Sequence, residues 1–128
     1  MKIAILITRV LLGLAFFVSG LLGLLHIGKM GGMSPDATTF TSLMATHGYM
    51  NFVALLMLIG GLLVLVGRFV PLGLVILAPI LVNILLFHAL FEPRGIIPGI
   101  VLSVLEVFMI YVYRASFRGL FDAAPEVS

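Results

Sequence analysis

The sequence contains no cysteine and few charged residues, and both absences restrict what the protein can do. Without cysteine, the chain cannot form disulfides, carry out thiol redox chemistry or bind a metal through thiolates. Only 9% of the 128 residues are charged, whereas about a quarter are charged in an ordinary globular chain. The net charge is +2, and no basic stripe indicates a nucleic-acid partner. The composition therefore excludes an ordinary soluble domain.

Motifs of several common protein classes are also missing. There is no glycine-rich loop of the phosphate-binding kind and no Cys-x-x-Cys-His sequence for covalent haem. No serine has a histidine and an acid suitably placed for a hydrolytic triad. Since no residues predict a redox centre of the chain's own, we do not expect it to be an enzyme by itself.

Apolar residues are what the sequence has in excess: 62% of it is hydrophobic and the mean hydropathy is +1.34. A membrane-spanning helix needs about 20 mostly apolar residues. Four segments qualify, at about 3–27, 48–67, 70–91 and 96–114. The first begins like a signal peptide, but its apolar run is too long, contains Arg9 and has no cleavage site of small residues. The sequence thus predicts one all-α membrane domain over residues 1–128.

The connections and the basic residues predict the arrangement of these spans. The links at 67–71 and 92–99 are short, so consecutive helices should be antiparallel neighbours. Lysine and arginine are more frequent in cytoplasmic segments of membrane proteins. One side would carry Lys2, Arg9, Arg68, Arg114 and Arg118, and the other only Lys29 and Arg94. We predict an integral membrane antiparallel four-helix bundle, multi-pass in the bacterial inner membrane, with both termini in the cytoplasm.

The long outer connection, residues 28–47, contains a signal for a further helix. Ser34-Pro35-Asp36 combines a capping side chain, a proline for the first turn and an early acid. Apolar residues then recur at spacings of three and four, and Gly48 could end the segment. We predict a short amphipathic helix on the outer membrane surface or over the mouth of the bundle. An irregular loop is the alternative.

Four polar residues lie near the predicted outer boundary: His26, His47, His88 and Glu92. Imidazoles and a carboxylate that meet there could bind a metal, hold a quinone head group or relay protons. The alternative is that polar residues at helix ends simply lie among the lipid head groups. His-x-x-x-Glu is a weak motif, and we predict no metal from it.

Three polar residues lie deeper in the predicted spans: Arg9, Asn83 and Glu106. A charge facing lipid at that depth is costly, so we predict that Asn83 and Glu106 point into the bundle. Glu106 would lie near Arg9 and either pair with it or hold a proton. The alternative for Arg9 is that its side chain reaches the cytoplasmic surface. Small residues at Ser19, Gly20, Gly23 and Gly60–Gly61 should let helices approach closely.

Three stretches together resemble the DoxX-like family of small four-helix bacterial membrane proteins over nearly the whole chain. They are "RVLLGLAFFVSGLLGLLH", "IGGLLVLVGRFVPLGLVILAPILVNILLFHALFEP" and "VLEVFMIYVYRASFRGLF". Arg9, Asn83, His88 and Glu106 match positions that family members carry. Met57 stands where many members have a glutamate three residues before paired glycines.

The resemblance implies a function in membrane redox metabolism, since related DoxD proteins are subunits of a thiosulfate:quinone oxidoreductase. It implies an accessory or quinone-facing subunit that works with a partner redox enzyme. Such a subunit would have no covalently bound cofactor and could bind a quinone. Two alternatives remain open: a small solute or proton carrier using Arg9, Asn83 and Glu106, and a non-catalytic membrane scaffold or binding protein. A homo-oligomer is compatible with each.

Overall fold

The computed structural model describes residues 1–26 and 33–127, and the regular secondary structure of these residues is entirely helical. Five α-helices follow one another: α1 (Lys2–Leu24), α2 (Pro35–Thr46), α3 (Tyr49–Val66), α4 (Val70–Leu90) and α5 (Ile96–Val112). Two 3-10 helices, Pro93–Gly95 and Arg114–Phe121, lie on either side of α5. The all-α prediction is confirmed. Lys29 and the first part of the predicted outer connection lie outside the described residues.

Four helical segments are long and apolar enough to cross a membrane. They are α1, α3, α4 and the segment Pro93–Val112, which contains α5, and they have between 18 and 23 residues. Each matches one of the predicted spans to within a few residues at either end. These helices fit a multi-pass membrane protein.

Glycine and proline set the tight connection between α3 and α4. Gly67 ends α3 with a φ of +84°, a left-handed conformation that glycine adopts without strain. Pro71 follows in the first turn of α4, where a missing backbone N–H removes no helical hydrogen bond. The chain can therefore reverse within a few residues, as the sequence predicts.

Glycines bring α1 and α3 into backbone contact. A Cβ on Gly13 would lie 2.9 Å from the carbonyl oxygen of Gly61, and one on Gly20 would lie 2.6 Å from that of Ala54. Later residues of α1 thus meet earlier residues of α3. The predicted role of small residues is confirmed for Gly20 and Gly61. Ser19 is exposed, and Gly13 is a contact that the sequence analysis did not identify.

The adjacent Gly60 serves the other side of α3. A Cβ there would lie 2.9 Å from the side chain of Leu77 on α4, and one on Gly73 would lie 2.9 Å from the Gly60 carbonyl oxygen. Two consecutive glycines therefore let α3 pack closely against two different helices. The core between the helices is apolar, and its largest fully buried side chains are Phe16, Leu12, Leu74, Leu77, Met109 and Val64.

The chain beyond α5 contains an element that the sequence analysis did not predict. Residues Arg114–Phe121 form a 3-10 helix whose Phe117 is 8% exposed and joins the core. Arg114 and Arg118 on the same element are exposed. Residues 122–127 are not helical.

Candidate functional site

The short helix predicted in the connection between the first two spans is present as α2. Ser34 is its N-cap, and the Ser34 hydroxyl accepts a hydrogen bond from the Ala37 backbone N–H at 3.2 Å. Pro35 occupies the first helical position and Asp36 lies in the first turn. The helix ends before Gly48, which has a φ of +76°. The capping serine, the proline in the first turn and the glycine after the helix therefore bound α2 as the sequence predicts.

Ser34 also fastens α2 to the turn between α4 and α5. Its hydroxyl donates to the Phe91 carbonyl oxygen at 2.5 Å, and its backbone N–H donates to Glu92 Oε2. Glu92 is 7% exposed, and its other oxygen accepts from Arg94 Nε at 3.1 Å. The hydrogen bond from Ser34, followed by the contact with Arg94, holds the pKa of the Glu92 carboxyl below its ordinary value.

Aromatic rings reinforce this attachment. The Phe40 ring of α2 lies 5.5 Å from the Phe87 ring and 5.4 Å from the Phe91 ring, centroid to centroid. These separations fall within the range of favourable aromatic pairs. We call Ser34, Phe40, Phe87, Phe91 and Glu92 the clasp. It joins α2 to the C-terminal end of α4. The sequence indicates Ser34 as a helix cap and Glu92 as a polar residue at a helix end, but it does not predict their contact.

The four polar residues predicted at the outer boundary do not form one cluster. His26 follows α1 and His47 follows α2, and both are exposed. His88 lies one turn from Glu92, with its Nδ1 atom 3.1 Å from the Glu92 carbonyl oxygen. Among residues 1–26 and 33–127, no three histidines or acids are grouped so that they could hold a metal ion. The hypothesis that all four side chains meet is therefore wrong, since among the described residues His88 and Glu92 are the two of them in contact.

Glu106 is the polar residue most enclosed by the spanning helices. It lies on α5 and is 3% exposed, so the prediction that it faces inward is confirmed. Both carboxyl oxygens are buried and have no hydrogen-bond partner. An ionised carboxylate without a partner would be costly in this apolar interior, whereas a neutral carboxyl is tolerated more easily.

Arg9 does not pair with Glu106. In the part of the chain that the structure describes, the one salt bridge joins Arg94 and Glu92. The Arg9 guanidinium lies against Gly67, where a Cβ would overlap it, just beyond the end of α3. There a cation interacts favourably with the carbonyl end of the helix. The Arg9 Nε atom is buried without a hydrogen-bond partner. Of the two alternatives that the sequence leaves open for Glu106, pairing with Arg9 is therefore wrong.

Asn83 does not point into the bundle, so that prediction is also wrong. Its side chain is exposed on α4, and Nδ2 donates to the Pro79 carbonyl oxygen at 3.0 Å. This bond to the preceding turn satisfies part of the amide without a second helix. The exposed neighbours Pro79, Val82 and Leu86 share the same face of α4.

The chain is 29% identical over 126 residues to an uncharacterized protein, YwoB, of Bacillus subtilis (strain 168). The similar region covers 91% of this chain and 81% of that protein. No family model matches the chain. No solved structure matches it.

Proposed function

We propose that the protein is an accessory, quinone-facing subunit of a membrane redox enzyme. In this proposal it is a DoxX-like antiparallel four-helix bundle of the bacterial inner membrane, with both termini in the cytoplasm. The observation that carries the proposal is the Glu106 carboxyl, which is enclosed by apolar helices with both oxygens unpaired. Unpaired buried polar groups are rare and costly in membrane helices and are often functional.

The chemistry of Glu106 suits a quinone. A neutral carboxyl can donate a hydrogen bond to a quinone carbonyl and can accept one from a quinol hydroxyl. The bundle surface also offers a groove of about 300 Å³ between α4 and α5, lined by Leu85, Ile100, Ser103, Val104 and Val107. Ser103 lies about one turn from Glu106 along α5. An apolar groove of this kind would suit an isoprenoid tail, and a partner enzyme would supply the electrons.

The test is the quinone content of the purified protein. We expect protein extracted from its native membrane in a mild detergent to retain endogenous quinone in a molar ratio near one. Glu106→Leu should lower that ratio severalfold, because a leucine side chain can neither donate a hydrogen bond to a quinone carbonyl nor accept one from a quinol hydroxyl. Glu126→Leu makes the same chemical change in the exposed tail and should leave the ratio unaltered.

If the purified natural protein retained neither quinone nor quinol, the proposal would be contradicted. The carrier alternative rests on the same carboxyl and is tested by loading proteoliposomes with a pH-sensitive dye. Proton entry that Glu106→Gln abolishes and Glu126→Gln preserves would favour a carrier. The scaffold alternative predicts neither behaviour, and it would be supported by a partner protein that co-purifies equally with both variants.

The proposed topology has a separate test, which the absence of cysteine makes simple. Asp36→Cys and Ser128→Cys are labelled in intact cells with a thiol reagent that does not cross membranes. We expect labelling at position 36 alone. Labelling at position 128 alone would invert the topology.

A further inference from the structure

The exposed face of α4 carries polar groups where the helix would face lipid. Pro79, Val82, Asn83 and Leu86 are exposed and recur at helical spacing. Asn83 lies about 20 Å from the start of α4 and about 10 Å from its end, counted at 1.5 Å per residue. If α4 crosses a bilayer, whose hydrocarbon core is about 30 Å thick, the Asn83 amide lies inside that core.

The hydrogen bonds of this face are incomplete in the described protein. The Asn83 amide donates one hydrogen bond, to the Pro79 carbonyl oxygen. Its Oδ1 atom accepts no hydrogen bond from the described residues, and an amide nitrogen can donate a second hydrogen bond. Pro79 has no N–H, so it cannot donate to the carbonyl oxygen of Val75 one turn earlier, which is also on the exposed side. In hydrocarbon, where no water is present, each such group is costly.

We propose that this face of α4 pairs with the same face of a second copy of the chain. An asparagine amide is self-complementary, because each of two such groups can donate to and accept from the other. Two copies with the same topology are related by an axis along the membrane normal, so their α4 helices run parallel. Asn83 then meets Asn83 at the same depth. A second copy is the partner that necessarily offers an amide there.

The surface beside Asn83 provides room for the contact. An apolar groove of about 460 Å³ is lined on the α4 side by Val75, Pro79 and Val82 among others, and on the opposite side by Phe117, Leu120 and Phe121. Every atom exposed in the groove is apolar. Side chains of a second α4 can therefore pack in the groove while the asparagines pair at its end. Packing and interhelical hydrogen bonds are the forces that join helices in membranes.

Disulfide crosslinking tests the pairing directly, since the natural sequence has no cysteine to interfere. Val82→Cys places a thiol beside Asn83, and Val104→Cys places one at an equally exposed position on α5, at 55% and 62% exposure. Both positions lie about 12 Å from the outer ends of their helices. On oxidation in membranes of a host that lacks the native redox partners, we expect a covalent dimer from Val82→Cys and little from Val104→Cys.

A second crosslinking experiment removes the side-chain amide of Asn83. Adding Asn83→Leu to the Val82→Cys variant should weaken the dimer about tenfold, the size of one to two interhelical hydrogen bonds. Asn51→Leu is the matched control on α3, since Asn51 is also exposed. Equal crosslinking at positions 82 and 104 would mean random collision and would overturn the proposal. So would an unchanged dimer after Asn83→Leu, or crosslinking of Val82→Cys only to a native partner protein.

Discussion

Replacing Gly61 with alanine should loosen the packing of α1 against α3. A Cβ at position 61 would lie 2.8 Å from the Gly13 carbonyl oxygen and 2.9 Å from the Phe16 carbonyl carbon. Both atoms belong to the backbone of a neighbouring helix, so no side chain can rotate away. The two helices must move apart, and the loss spreads along their whole contact.

Two opposing effects set the size of this change. Alanine is about 1 kcal/mol more favourable than glycine inside a helix. Overpacking a close contact costs about 1–3 kcal/mol, and rigid backbone on the opposite side favours the upper part of that range. We therefore expect Gly61→Ala to lower the free energy of unfolding by about 1–2 kcal/mol. The sign is opposite to that of an ordinary glycine-to-alanine change in a helix.

Heating the purified protein in detergent and measuring the monodisperse fraction by size-exclusion chromatography gives the comparison. Because such unfolding is often irreversible, heating times must be matched between variants. Gly99→Ala is the control: its Cβ would meet only side-chain atoms of Ile84 and Leu85, at 3.3 and 3.4 Å. We expect that variant to be as stable as the natural protein or slightly more stable.

The same contact can be removed from the other side. Gly13→Ala should be destabilising for the same reason, since its Cβ would lie 2.7 Å from the Leu65 Cα. Once one substitution has separated the helices, the second meets less resistance, so the double variant should lose less than the sum. Stabilisation by Gly61→Ala, or equal effects of Gly61→Ala and Gly99→Ala, would refute the close approach of α1 and α3.

Three further predictions concern the clasp and the two residues Arg9 and Glu106. Ser34→Ala should cost about 1 kcal/mol through loss of the helix cap and speed amide hydrogen exchange in α2, whereas Ser42→Ala on the exposed side should not. The folded-state pKa of Glu92 is lowered, so its stabilisation is complete above the ordinary carboxyl pKa and is lost as pH falls through the lowered value. Exchange in α2, corrected for intrinsic rates, should therefore rise below about pH 4, and Glu92→Gln should abolish that dependence. Because Arg9 and Glu106 form no salt bridge, the stability losses of Arg9→Gln and Glu106→Gln should add in the double variant, and a coupling above about 0.5 kcal/mol would indicate direct pairing.

Local signals in the sequence predict the helices well. Long apolar runs locate the four spans, and the Ser34-Pro35-Asp36 start and Gly48 bound α2 correctly. In each case the physical cause lies within a few neighbouring residues: Ser34 caps a free backbone N–H group, and Gly48 adopts a left-handed conformation. The paired glycines also indicate close packing, although the sequence does not tell which helix each one contacts.

Contacts between distant residues could not be predicted in this way. Ser34 and Glu92 are 58 residues apart, and no local pattern links a cap serine to a particular carboxylate. The prediction that Asn83 points into the bundle was wrong for a different reason. Apolar residues surround α4 on every side, so no polar face distinguishes inside from outside. The cost of a lipid-facing amide suggested burial, whereas Asn83 is exposed and bonds to its own helix.

The packing also restricts how a ligand can reach Glu106. Gly13, Gly20 and Gly61 bring the backbones of α1 and α3 into contact, which closes the approach between these helices at those positions. At the C-terminal end of α4, the clasp holds α2 against Phe87 and Phe91. The groove between α4 and α5 is lined almost entirely by apolar atoms, and Ser103 on its wall lies about one turn from Glu106. A ligand that arrives from the lipid fits this arrangement better than a solute that crosses the bundle along its axis. Quinones are such ligands, which favours the quinone-facing function over the carrier.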